Sequence, residues 1–210
     1  MILSKSCKVL FEPIEFEGKQ IKKAKLIISD FQDEPGVLYK ISVVLYVYGW
    51  SILSAKIQNK NDFIEDVITI EPTSSITSDQ IKPSMIEAME KDLESLLNRQ
   101  ITIGDYLSKY PEKTQKLMES LVPNPSTEIE IEVLDKGNTV LKVSIKTPDR
   151  VGIIYSITQI FYLSDLNILD FDVETENHIA KDVFLIQKMN KGSFTSRNIE
   201  ELRSLLKKFI

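Results

Sequence analysis

The chain has 210 residues, 42% apolar and 27% charged, with a formal charge of −5. This balance suits one or two packed soluble domains and excludes an extended disordered chain. Lysine is mixed with glutamate, so no basic stripe follows a phosphate backbone and nucleic acid is not expected as a partner. The single cysteine, Cys7, excludes an internal disulfide and a thiolate metal cage, and it suits a reducing cytoplasm.

The opening MILSKSCKVLFEP has too short an apolar run for a signal-peptide core, and no later segment reaches about 18 uninterrupted apolar residues. No membrane contact is expected. CKVLF at 7–11 and AKLIISDF at 24–31 are strand-like. After them Leu38, Ile41, Leu45 and Tyr48 recur at helical spacing, with Asp33 at the expected N-cap and Pro35 in the expected first turn. SILSAKIQ and FIEDVITI then predict two strands joined by a turn at 59–62. A helix follows on Ile86, Met89, Leu93 and Leu96. The polar 101–126 segment reads as a partly helical connector that ends in a Pro-Asn-Pro breaker.

The order then starts again. TEIEIEV at 127–133 is strand-like, and VLKVSIKT at 140–147 alternates with Leu141, Val143 and Ile145 on one face. Asp149 is the expected cap of a helix on Ile154, Ile157 and Phe161. NILDFDVET and AKDVFLIQK predict paired strands, and Ile199, Leu202, Leu206 and Phe209 a last helix.

The likeness between the halves is literal. DEPGVLYKISVVLYVYGWSIL from Asp33 to Leu53 is matched, 116 residues on and without a gap, by DRVGIIYSITQIFYLSDLNIL from Asp149 to Leu169. The expected class is α+β: two ferredoxin-like sandwiches of antiparallel strands with helices on one face, at 1–100 and 127–210. Each βαββα copy lacks the last strand of a βαββαβ unit. The strands at 7–11 and 127–133 fill that place either within their own unit or crosswise, as a permuted or a strand-swapped fold.

Motifs for catalysis are scarce. His178, the only histidine, falls in the turn TENHIA with no second ligand or nucleophile beside it, so a surface role is expected. Asp170 and Asp172 have the spacing of a two-metal nucleotidyltransferase pair, but no Gly-Ser turn precedes them and the matching strand of the first copy has no acids. Asp66 and Asp182 read as hydrated acids at strand ends that could orient a ligand. No phosphate-binding glycine loop and no GxSxG elbow occurs. Neither a catalytic residue, a metal nor a cofactor is expected.

Gly36 and Gly152 stand where a strand turns into a helix, a place where N–H groups and the helix dipole favour a carboxylate. With the flanking DEPGVLY, SILSAKIQ and EDVITI, and DRVGIIY, NILDFDVET and KDVFLI, they resemble the ACT domain. The nearest likeness is to the tandem ACT modules that end bacterial PII uridylyltransferases and to plant ACT-repeat proteins. Four positions depart from that pattern: Glu34 in place of Arg, Val151 in place of Pro, Asn59 where the second copy has Thr175, and Phe171 in the place of Ala55.

The resemblance implies a non-catalytic regulatory protein that binds a small amino acid, glutamine first, and signals through altered packing or a protein partner. It implies contacts at Asp33, Gly36, Val37, Leu38 and Asn59 in one copy, and at Asp149, Gly152, Ile153, Ile154 and Thr175 in the other. Homodimers through the sheets are a further expectation. The alternative is an interaction or dimerisation module whose repeats have lost their ligand.

Overall fold

The computed structural model describes residues 8–18, 20–32, 34–60, 63–74, 76, 81–120 and 123–210. Cys7, Asp33 and residues 61–62 of the turn expected at 59–62 lie outside them, while 59–60 belong to a strand rather than a turn. The first repeat runs β1 (Lys8–Glu17), β2 (Gln20–Gln32), α1 (Val37–Tyr48), β3 (Trp50–Lys60), β4 (Phe63–Pro72) and α2 (Pro83–Leu97). Two short helices follow, α3 (Ile103–Ser108) and α4 (Pro111–Ser120). The second repeat is β5 (Glu128–Val133), β6 (Val140–Pro148), α5 (Ile153–Leu163), β7 (Leu166–Glu176), β8 (Ile179–Lys188) and α6 (Ser196–Phe209).

All eight strands form one sheet in the order β1-β2-β4-β3-β7-β8-β6-β5. β1 pairs antiparallel with β2, and β5 with β6, so each leading strand completes its own repeat. Each repeat is thus a permuted ferredoxin-like sandwich, with the missing last strand supplied from in front. The repeats meet where β3 pairs antiparallel with β7, at Ser54 opposite Glu174 and Ala55 opposite Val173.

One face of the sheet is apolar and covered by helices. Leu26 and Ile28, Ile68 and Ile70, Phe184 and Ile186, and the expected Leu141, Val143 and Ile145 all point into it. α1 buries nine of its twelve residues, more than one helix face supplies, because it also packs on α2 and α5. The same register shift recurs in both halves, between Ile52 and Ser54 and between Ile168 and Asp170, so Leu53 and Leu169 occupy equivalent bulges. α3 opens on a capping box of Thr102 and Asp105, and its Tyr106 is fully buried beside Tyr110. Tyr110 and Tyr48 both donate to Asp92, at 3.3 and 2.9 Å, which fastens these helices to the first repeat.

Two local expectations are corrected. At α5 the helix cap is not the acid Asp149: Gly152 occupies the N-cap position in the left-handed region, at φ 82°, as Gly36 does at α1, at φ 88°, and among the described residues neither helix has a side-chain cap. The left-handed glycine adds a turn between acid and helix, and Pro35 belongs to that turn, outside the helix. Asp66 and Asp182 are not hydrated strand ends either. Their strands run past them through the middle of the sheet, and alternation puts both on the helix-covered face, only 3% and 1% exposed.

Candidate functional site

The two strand-to-helix turns lie at the seam between the repeats. Residues related by the offset of 116 meet each other there. Ser42 on α1 and Thr158 on α5 approach to 3.1 Å between hydroxyls. Tyr39 and Tyr155 have ring centroids 5.4 Å apart, and Tyr39–Tyr162 and Tyr46–Tyr155, an equivalent couple, lie at 5.5 and 6.0 Å. A local two-fold axis therefore runs between α1 and α5.

Around that axis the turns have diverged. At the α1 turn a Cβ added to Gly36 would lie 2.7 Å from two ring atoms of Tyr162, so the second repeat covers this glycine directly. Lys40 and Arg99 both pair with the half-buried Glu34. The pairing ties the turn to the residues just after α2. Arg150, the counterpart of Glu34, ties its own turn to the end of α6 by a different chemistry, its Nη2 donating to the carbonyls of Phe209 and Ile210 at 3.1 and 3.2 Å.

At the α5 turn the residue matching Lys40 is Ser156, whose hydroxyl donates to the Gly152 carbonyl at 3.0 Å. Tyr46, the counterpart of Tyr162, donates its hydroxyl to the Lys113 carbonyl of α4. The N–H of Ile153 donates to the Arg150 carbonyl. With no side-chain cap on α5 among the described residues, the positive end of the helix dipole is not offset by a capping group there.

Two carboxyls stand by this turn, and a third interacts with one of them from the first repeat. Asp149 is half-buried; burial pushes its pKa up, against the opposing pull of the Arg150 N–H and of His178. Asp182 shares its inward face with Thr147 of β6 and Ala180. Both of its oxygens are buried, and neither has a hydrogen-bond partner among the described residues. Burial first, then the charges of Asp149 and Asp172, push it up to about 8. Glu71 of the first repeat, on the open face of the sheet with Glu15 and Lys23, is raised by burial and then by the charge of Asp149.

The residues singled out from sequence divide between the two turns. Gly36, Val37 and Leu38 form the start of α1, Val37 and Leu38 being buried. The backbone of Asn59, far along β3, pairs with Ile64. Asp149, Gly152, Ile153 and Ile154 come together at the α5 turn, and Thr175 pairs with Ala180 two residues from Asp182. His178 is exposed at the hairpin tip, where it and Asn177 both have positive φ, and its carbonyl accepts from the Asp149 N–H at 2.8 Å. Asp170 and Asp172 are exposed on β7. No group of three or more His, Cys, Asp or Glu among the described residues is placed to hold a metal ion. No helix among them is long and apolar enough to cross a membrane. Glu71 escaped the sequence reading; the offset alone signals it, through its replacement by Gln187 in the second copy.

Fold and site together define a tandem of permuted α+β sandwiches with an acid-lined turn at their shared seam. No family model matches the chain, and no curated protein does. Among solved structures it is similar to aspartate kinase from Synechocystis, with a TM-score of 0.41 and 11% identity over 89% of this chain; it spans only 26% of that kinase. It is also similar to a putative glycine cleavage system transcriptional repressor, with a TM-score of 0.30 and 13% identity over 88% of this chain and 90% of that one. A third is the ligand-free regulatory subunit of aspartate kinase from Thermus thermophilus, with a TM-score of 0.28 and 12% identity over 98% and 99% of the two chains. At such values none of them assigns this chain a ligand or a partner.

Proposed function

We propose that this is a regulatory protein without an active site of its own, made of two ACT-like units at 1–100 and 127–210 joined by 101–126, that binds a small amino acid at its strand-to-helix turns. The observation that carries the reading is the α5 turn: an uncapped helix start suited to a carboxylate, beside acids suited to an ammonium. The helix start offers the carboxylate a counter-charge, and an ammonium arriving beside Asp149 and Asp182 favours their charged forms over the protonated ones. Glutamine is the first candidate, from the resemblance described above. Binding at the seam changes how the repeats pack, and a protein partner or a second copy in the cytoplasm reads that change. The coupling is as large as the difference in ligand affinity between the two packings.

Thermal melting of the purified chain with each of the twenty amino acids tests this. Stabilisation by one or two of them at millimolar concentration is expected. No shift with any would overturn the reading in favour of the interaction module. That second reading has its own support in the exposed Leu10, Ile14 and Phe16 of the edge strand β1.

A further inference from the structure

We infer that the chain holds one ligand rather than two, at the α5 turn only, and that Asp149 and the buried Asp182 take the ligand's ammonium while the start of α5 takes its carboxylate. This rests on the reading of the protein as an amino-acid binder and adds which turn binds, which group of the ligand is read, and by which residues.

The seam repeats itself with an offset of 116, so each difference between the turns is a substitution that can be read off. At the α1 turn Lys40 and Arg99 bring two positive charges, both gathered on Glu34, and an ammonium entering there would meet them. Tyr162 already lies against Gly36. At the α5 turn Ser156 replaces Lys40, and Tyr46 is held toward α4. Glu71 of the first repeat, on the open face of the sheet, lies near enough to Asp149 for its charge to be felt, whereas the matching position in the second copy is Gln187. These changes leave the α1 turn covered by Tyr162 and flanked by two cations that the α5 turn lacks; the one change of opposite sign, Glu34 to Arg150, puts a guanidinium there whose Nη2 is turned to the end of α6.

Asp182 supplies the independent sign of a ligand. A fully buried carboxyl with neither oxygen hydrogen-bonded is costly, and buried polar groups are partnered with few exceptions. Among the described residues, the charged groups that act on it are Asp149 and Asp172, both acidic. Among the described residues, no three acids near the turn are grouped to hold a metal ion. An ammonium, which needs directed acceptors and only partial enclosure, fits them. Both Asp182 oxygens are sealed from solvent, so the 149–152 turn must lift for the ligand to reach them, and Arg150 ties that movement to the end of α6.

Calorimetry on the full chain decides it. Each of the twenty L-amino acids is titrated into the wild type, Asp182→Asn and Asp149→Asn, together with the matching acids that lack the amino group. The expected result is one ligand per chain, no binding of the des-amino analogue, and at least about tenfold weaker binding in each variant. Asp149→Asn lies in a half-exposed turn, so it reads the site even where Asp182→Asn disturbs the core. Two ligands per chain, equal binding of the des-amino acid, or wild-type affinity in either folded variant would overturn the inference and leave the amino-acid reading standing. Absence of binding by every amino acid overturns that reading and this inference with it.

Discussion

Asp182 makes the protein's stability depend on pH in a direction opposite to that of an ion-paired carboxylate. Its folded value is pushed up to about 8 from 3.8. Between about pH 4 and pH 8 the folded chain holds a proton that the unfolded chain has released. Stability therefore falls as pH rises through that window, by up to about 1.4 kcal/mol per pH unit from this group. Below the window both states are protonated and no penalty applies; above it the penalty is complete. Asp182→Asn is expected to melt above the wild type by a margin that grows from pH 5 to pH 8, and an equal margin at both would show that the carboxyl is charged throughout. Gly36 gives a second prediction at this scale. Gly36→Ala places a Cβ at φ 88° and 2.7 Å from the Tyr162 ring, a loss of about 1–3 kcal/mol in urea denaturation. Adding Tyr162→Ala should restore only part of it, because the left-handed strain remains when the ring is gone.

The contact between α1 and α5 turns on two protons shared among four polar contacts. Ser42 donates to the Tyr39 carbonyl at 3.0 Å and Thr158 to the Ile154 and Tyr155 carbonyls at 2.8 and 3.1 Å, while the two hydroxyls stand 3.1 Å apart. One proton can bridge the helices only by leaving its own. Ser42→Ala and Thr158→Val should each cost about 0.5–1.5 kcal/mol, and the double variant less than their sum, because two apolar groups leave no hydroxyl stranded. Additive losses in a double-mutant cycle would show that the hydroxyls ignore each other. Elements of this kind were legible wherever a period carried them. The alternation of Leu141, Val143 and Ile145 and the spacing of Leu38, Ile41 and Leu45 both point to the buried side. What depends on distant neighbours was not legible. Nothing local says that β1 completes its own repeat, since that pairing is settled by contacts far along the chain. Asp66 and Asp182 looked hydrated because a strand's length, and so whether an acid stands at its end or its middle, is poorly marked by period alone. Asp149 was placed correctly beside the turn but wrongly as its cap, because a left-handed glycine adds residues that a capping rule does not count.

At the scale of the molecule the eight strands and the α1–α5 contact make one body out of two repeats. A single calorimetric transition is expected, with equal calorimetric and van't Hoff enthalpies; two resolved transitions would show that the repeats unfold separately. A ligand held at the seam at one hundred times its Kd should raise the stability of that whole unit by about 2.7 kcal/mol. The axis along which Ser42 meets Thr158 and Tyr39 meets Tyr155 has one more meaning. Residues that face their own counterparts are what an isologous pair of identical subunits displays, and there every substitution is made twice, once on each side. Tethered in one chain, the partners are released from that constraint. Lys40 opposite Ser156, Glu71 opposite Gln187 and Val43 opposite Gln159 are changes that only a fused pair can keep on one side. Fusion allows the first half to become a fixed wall while the second keeps a turn that can open.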